Sequence, residues 1–463
     1  MAETSRLERL GGLDLQVLLW DDFGWSGDIG ALAILDGASL LDDDGEVRIE
    51  AVRRRIEPRL HLVPRFRQRL YRPRRGLGWP LWVDSASFDL ADHVRVLPLA
   101  APGDEAQLLL ACEELARRRL DPARPLWEMW LLPGLPQGRV GLFVKLHHAI
   151  ADGVAGVAAF GALLDLAADA AGPVAPPWTP APALTAGELL LDNLRRRVQG
   201  LDRALSSLAY PTSTLRRTRA TWPAWREFFA EQRAPRTSLN RPIGADRRLA
   251  MIGSRLDLVK QIAHAHDAKV NDVVLAAVAG GLRELLRGRG EHVEQLALRA
   301  MVPISLHREQ PGKASGNQDG SMVVPLPIGE PDHVRRLHLI AAETAERKKK
   351  AHPQIGSGIF RFAVAQRVFL RLLARQRLMN VTVTNVPGPP VPLYLAGAPL
   401  LELFPVVSLV ANITLAVAVL SYAGQLNITA VADQDGCSDV EVFAQGVRGA
   451  LDDLARSTFV PAY

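Results

Sequence analysis

Cysteine is nearly absent from this chain. Only Cys112 and Cys437 occur in 463 residues, far apart in sequence. Two distant thiols make neither a disulfide framework nor a cysteine-ligated metal site, and such sparse use fits a reducing compartment. The first ten residues are polar and charged, without the apolar core of a signal peptide, so the reading is cytoplasmic. Charge is missing altogether from Leu403 to Ala432, a stretch long enough to suggest a membrane span. Pro405, Asn412, Ser421, Gly424, Gln425 and Asn427 interrupt it, however, and β-branched residues recur. It reads as two or three buried strands with a turn near Ala423-Gly424, not as a span. Internal repeats are also lacking.

What is present is an ordinary globular composition, 48% apolar and 23% charged. The length favours two domains of roughly 200 residues each. The net charge of +5 is modest. Arginines gather at 53–55, 65–75 and 195–197, and lysines at 348–350. Nucleic acid, an anionic membrane surface or a phosphorylated cofactor would each suit such patches; the plainer reading of any single run is a solvated helix face.

Apolar segments at Leu13–Trp20 and Ile29–Leu35 flank a polar break, the second reading as a strand. Val47–Arg54 begins an amphipathic helix, and Glu105–Arg119 has helical spacing at Leu108, Cys112 and Leu115 before a stop at Leu120-Asp121-Pro122. Pro133-Gly134 and Pro136-Gln137-Gly138 make a hairpin turn into the strand Val140–Leu146. Gly172–Pro182 is a Pro/Ala-rich linker, and Leu184–Leu208 a long helix. The second half opens near Ile243, with helices predicted at Leu256–His266, Val274–Leu286, Asp332–Lys350 and Asp439–Arg456. Strands are predicted at Leu296–Ile304, Met322–Pro327 and Val381–Asn385. Strands alternating with helices argue an α/β architecture.

The strand Val140–Leu146 delivers His147-His148-Ala149-Ile150-Ala151-Asp152-Gly153. Two histidines, an acid and a glycine at a strand end form a candidate acid/base site, since the imidazole pKa suits proton removal near neutral pH. Adjacent strand residues point to opposite faces, so only one histidine faces a given cavity. Asp152 lies in the following turn, where it can order the loop by pairing with an arginine, and Gly153 allows close backbone approach as a helix begins. A chance histidine pair is the bland alternative. A metal is disfavoured because vicinal histidines do not chelate one ion easily and no third ligand is suitably spaced.

The His-His-x-x-x-Asp-Gly pattern at 147–153 resembles the signature of the CoA-dependent acyltransferase superfamily. Arg124-Pro125-Leu126-Trp127-Glu128 precedes it, and Asn240 with Pro242-Ile243-Gly244 and Val270-Asn271-Asp272-Val273 follow in order. So do Arg299-Ala300-Met301-Val302-Pro303 with Ser305, Gly316-Asn317-Gln318, Thr384-Asn385-Val386-Pro387-Gly388-Pro389 and Ser421-Tyr422-x-Gly424. Together they resemble the bacterial wax ester synthase/acyl-CoA:diacylglycerol acyltransferase family over nearly the whole chain. Two stretches depart from the family pattern, Ser26–Gly30 and Val410–Val417; both are expected to border the substrate path and to bear on acceptor identity.

The resemblance implies two chloramphenicol-acetyltransferase-like halves, each an open mixed sheet with helices, with a tunnel between them. The expected division is 1–175, carrying the histidine motif; a helical linker or crossover at 176–242; and a second half at 243–463. It implies acyl-CoA as co-substrate with no bound cofactor, and diacylglycerol or a fatty alcohol as acceptor. The partners expected are a peripheral membrane or lipid-droplet surface and a second copy in a homodimer, without nucleic acid. In the implied mechanism His148 takes the hydroxyl proton and the oxygen attacks the thioester directly, with no acyl-enzyme. His147, Asp152 and Gly153 hold the loop, and Arg299 is the candidate partner of Asp152. Asn271 is either an oxyanion donor or a helix N-cap. Pro125, Leu126 and Trp127 are packing residues or substrate contacts, and Asn385 and Gly388 line the substrate side. Other enzyme readings are a natural-product or condensation-type acyltransferase; the non-enzyme alternative is an acyl-CoA- or lipid-binding paralogue.

Overall fold

The computed structural model describes residues 7–74, 76–151, 153–209, 233–305, 319–350 and 363–459. Asp152, Gly316-Asn317-Gln318 and most of the Ser206–Pro242 stretch lie outside these residues. The strands run β1 Glu8–Arg9, β2 Asp28–Asp36, β3 Gln68–Tyr71, β4 Leu81–Asp84, β5 Val94–Val96, β6 Trp127–Pro133, β7 Arg139–His147 and β8 Arg247–Arg255. They continue as β9 Leu298–Ser305, β10 Asp319–Leu326, β11 Val381–Pro387, β12 Tyr394–Leu395, β13 Ala398–Val406, β14 Leu415–Tyr422 and β15 Gln425–Asp433.

They form two six-stranded mixed sheets and a small three-stranded one, β1-β4-β3. The first large sheet has the order β12-β13-β2-β7-β6-β5 and the second β10-β9-β11-β14-β15-β8. The uncharged stretch 403–432 is thus the end of β13 followed by the β14–β15 hairpin, turning at Ala423-Gly424. Among the described residues no helix is long and apolar enough to cross a membrane.

The second half does not keep to its own sheet. β12 and β13 lie in the first sheet, where β13 runs antiparallel to β2. Thr384–Pro389 is strand through Pro387, parallel to β14, and the chain crosses to the first sheet only beyond that point. The exchanged strand is tied back to the second sheet. Tyr422 Oη donates to Leu400 O at 3.0 Å and Asn427 Nδ2 to Leu403 O at 3.0 Å.

Strand alternation sorts the side chains of β2 and β7 between two cores. Ala33, Leu35, Leu142, Val144 and Leu146 enter the core of the first half. Leu32, Ile34 and Phe143 instead meet Leu249, Met251, Ala416 and Val431 of the second sheet, closing the joint between the halves. Each such large side chain contributes about 1.5–3 kcal/mol when fully buried. Phe143, Lys145 and His147 therefore share the face of β7 that looks toward the joint. The second half has its own core, in which helices Val270–Gly288 and Val440–Phe459 pack together.

Candidate active site

His147 is the last residue of β7 and is 3% exposed. Its backbone N–H donates to Leu126 O at 2.9 Å. The Ala149 N–H donates to His147 Nδ1 at 3.1 Å, which assigns the ring proton to Nε2. Nε2 in turn lies 3.2 Å from Asp21 Oδ2, at the C-terminal end of helix Gly12–Asp22. Both ring nitrogens are therefore engaged inside the protein. Asp21 Oδ1 also accepts from the Gly27 N–H at 3.3 Å, so one carboxylate holds the histidine and the segment leading into β2.

Asp21 was not singled out in the sequence. Its partner is 126 residues away, and no spacing rule connects them. Gly27 lies in the departing stretch 26–30, but nothing local marks its own role. A Cβ there would sit 2.7 Å from His147 Nε2, so only glycine lets the ring pass.

His148 stands just beyond the strand and is half-buried. Its backbone N–H donates to Gly27 O at 2.8 Å. Trp20 meets its ring edge-on, with centroids 6.3 Å apart. The Trp20 Nε1–H is buried with no hydrogen-bond partner among the described residues. Helix Gly153–Ala162 follows. A Cβ at Gly153 would make an ordinary 3.6 Å contact with Val386 Cγ2, so packing alone does not require glycine there. That contact does bring the motif against β11 of the second half.

β11 supplies Asn385, whose Nδ2 donates to Asn271 Oδ1 at 3.3 Å. Asn271 is not the N-cap. Lys269 holds that position with extended backbone, and Asp272 Oδ2 accepts its N–H at 2.9 Å. Asp272 thus supports the cap from the third helical position, which leaves the Asn271 amide to Asn385. Gly388 N–H donates to Ser421 O at 3.0 Å, and a Cβ at 388 would collide with that same oxygen. Arg299 Nε donates to Leu378 O at 2.8 Å; its expected pairing with Asp152 lies outside the described residues. Asn380 bridges the Arg299 backbone to Asn240, accepting from Arg299 N at 2.9 Å and donating to Asn240 Oδ1 at 2.6 Å. Asn412, in the departing stretch 410–417, joins this buried amide network through Gln376 Nε2 at 2.8 Å.

Trp127 has no exposed surface. It lies in a stack of four rings, Phe88, His93, Trp127 and Phe66, and its Nε1–H donates to Phe66 O at 2.9 Å. Those contacts are what packing demands of a buried tryptophan. Leu126 is buried and supplies the carbonyl that holds His147, while Pro125 O accepts from Trp127 N at 2.9 Å.

At the joint, Ser26, Asp28, Lys145, Arg247 and Ser408 line a small cavity of about 30 Å³, room for a water or two. Burial pushes the Asp28 carboxyl up and the Lys145 ammonium down from their ordinary values, each partly offset by the other. The departing stretch 26–30 is thus built into the wall beside His147. No cluster of metal-ligating side chains occurs among the described residues.

Residues 10–274 match the wax ester synthase/diacylglycerol acyltransferase catalytic domain, and residues 315–455 the WS/DGAT C-terminal domain. A probable diacylglycerol O-acyltransferase of Mycobacterium tuberculosis is 30% identical over 91% of this chain and 90% of its own length. A second putative diacylglycerol O-acyltransferase of that organism is 31% identical over 90% of each chain. The wax ester synthase/diacylglycerol acyltransferase of Marinobacter aquaeolei VT8 superposes with a TM-score of 0.70 at 23% identity, covering 98% of this chain and 100% of that one. The starter condensation domain of rhizomide synthetase follows at 0.60 and 15% identity, covering 98% and 95%. The two-halved α/β fold is shared with both.

Proposed function

The chain belongs to the wax ester synthase/diacylglycerol acyltransferase family, and from that premise we propose that it moves a long-chain acyl group from acyl-CoA to diacylglycerol or a fatty alcohol. The products are triacylglycerol or wax ester and free CoA. His148 is the general base of this reading. It takes the acceptor hydroxyl proton as the oxygen attacks the thioester carbonyl; the C–S bond then breaks and the CoA sulfur receives the proton.

One observation carries the assignment to His148 rather than its neighbour. His147 spends one ring nitrogen on the Ala149 N–H and the other on Asp21, which supports a positioning role. Asn271 accepts at Oδ1 from Asn385 and its Nδ2 has no acceptor among the described residues, which suits an oxyanion partner. Asp152, Gly153 and Arg299 support the loop in this reading. Pro125, Leu126, Asn385 and Gly388 border the substrate path, with Trp127 behind them. Both acceptor classes reside in membranes or lipid droplets, so the reading includes a peripheral encounter with such a surface.

The test offers radiolabelled palmitoyl-CoA with hexadecanol, diacylglycerol and short alcohols in parallel. Ester from hexadecanol or diacylglycerol is expected, and His148→Ala abolishes it while acyl-CoA binding and Tm persist. Full activity in that variant removes the base assignment. No ester with any acceptor removes the enzymatic reading in favour of an acyl-CoA-binding protein.

A further inference from the structure

Helix Ala186–Ala209 follows the Pro/Ala-rich linker and lies on the first half. It is held by its polar side. Asp192 Oδ2 accepts from Arg9 Nε at 2.5 Å, Asn193 Nδ2 donates to Gly76 O at 2.6 Å, and Leu189 is buried between these contacts. Arg196 closes the same side on Asp192 at 3.1 Å.

The opposite side is apolar and faces solvent. Leu190, Leu191, Leu194 and Val198 are 49–59% exposed. At about 100° per residue these four fall within about 100° of arc, nearly opposite the docked side. Arg195 and Arg197 flank the stripe, one on each edge, and both are exposed. The Asn193–Gly76 bond sets a second basic segment beside the helix, where Arg72 and Arg74 are also exposed. In the sequence the three- and four-residue spacing of the stripe continues at Leu201, Leu205 and Leu208.

An amphipathic helix normally turns its apolar stripe to the protein core. This one is fastened the other way round, with a rim of arginines. That combination is what an interfacial helix needs: apolar residues to enter the headgroup boundary and cations to meet anionic lipid. We propose that the 186–209 helix docks this protein on an anionic lipid surface. Its 24 residues span about 36 Å, enough for several turns to lie flat in the interface. The acyl-transfer reading enters only through what such a surface would deliver; the docking itself requires no catalysis.

The test is co-flotation of the full chain with phosphatidylglycerol/phosphatidylcholine vesicles and with phosphatidylcholine alone. Wild type is expected to float with the anionic vesicles, weakly with the neutral ones, and less in high salt. The triple variant Leu191→Gln, Leu194→Gln, Val198→Gln is expected to lose binding at least tenfold. Arg195→Gln with Arg197→Gln is expected to lose most of the preference for anionic lipid. The triple variant should keep its Tm and its activity on detergent-dispersed acceptor, so a failed flotation is distinguishable from a failed acyl-transfer reading. The proposal is overturned if folded wild type binds neither vesicle or if the triple variant floats like wild type. It is also overturned if light scattering shows a wild-type dimer that the triple variant dissolves, because the stripe then belongs to a second copy.

Discussion

Asp21 Oδ2 and His147 Nε2 lie 3.2 Å apart although 126 residues separate them in sequence. The contact ties the end of a helix in the first twenty-odd residues to the end of β7, one residue before His148. Removing the carboxylate leaves a buried N–H without a partner, at a cost of about 1–3 kcal/mol. Asp21→Ala should therefore lower Tm. It should also reduce kcat about 10- to 100-fold, because a catalytic group displaced by about an ångström loses that much, with little change in KM for acyl-CoA. Asp21→Asn keeps an acceptor oxygen and should recover most of the loss. If Asp21→Ala shifts Tm but leaves kcat unaltered, Asp21 is structural only.

Gly27 gives a second route to the same ring. A methyl group there would lie 2.7 Å from His147 Nε2 and 3.2 Å from Val17 Cγ1. Neither neighbour is free to retreat, since the ring is bonded at both nitrogens and Val17 is buried. Overpacking of this kind costs about 1–3 kcal/mol. Gly27→Ala should accordingly show a lowered Tm and a fall in kcat larger than its change in KM. A variant with wild-type Tm and kcat would show that the segment before β2 moves aside.

How far the sequence spoke for the fold depended on the range of the contact. Val140–Leu146 and the uncharged 403–432 stretch announced buried strands through recurring apolar and β-branched residues, and β7, β14 and β15 are there. Leu13–Trp20 showed only apolarity and proves to be helix; its pattern says that residues are buried, not what they form. The strand exchange was invisible for a related reason. β13 is as apolar as any central strand, and nothing in its alternation says that its partner is β2 and not a strand of its own half. At the site, the histidine pair stood out because its spacing is local. Asn271 could not be separated from a cap by composition, since Asn and Asp are both good capping residues; in the fold Lys269 takes the N-cap and Asp272 supports it from the third helical position. Asp21 carries no local signal and Gly27 only its place in the departing stretch 26–30, because their role exists only once two distant segments meet.

Burial depresses the pKa of His93, against the raising influence of its bond to Trp127 O, and burial likewise depresses His266 and His333. A histidine whose folded pKa lies below its unfolded value near 6.5 contributes stability that is full above that value. The contribution is lost as pH falls through the folded pKa, because the unfolded chain then binds the proton more readily. The carboxyls of Asp28, Glu113 and Glu402, raised by burial, act in the opposite sense. The readout is therefore a difference. Between pH 7.5 and 5, on the order of the range where histidine titrates, Tm of His93→Gln should fall less steeply than that of wild type, whatever its absolute value. Parallel profiles would show that His93 takes up its proton in the fold.

The two thiols offer a last check on the direct-transfer reading. Cys112 is completely buried in the joint between the halves, and Cys437 is 1% exposed in the core of the second. Burial pushes the Cys437 thiol up to about 11 and raises Cys112 as well. The thiolate is the reactive form, so at pH 8 only about one Cys437 in a thousand is ionised, and access is closed besides. Native protein should show no fast reaction with Ellman's reagent, and two thiols should appear only on addition of guanidinium. Iodoacetamide applied to the native protein should leave the rate of ester formation unchanged. A rapidly titrating native thiol whose alkylation stops turnover would place a cysteine on the path of the acyl group. Transfer from CoA sulfur to acceptor oxygen would then pass through the enzyme, instead of occurring in one step beside His148.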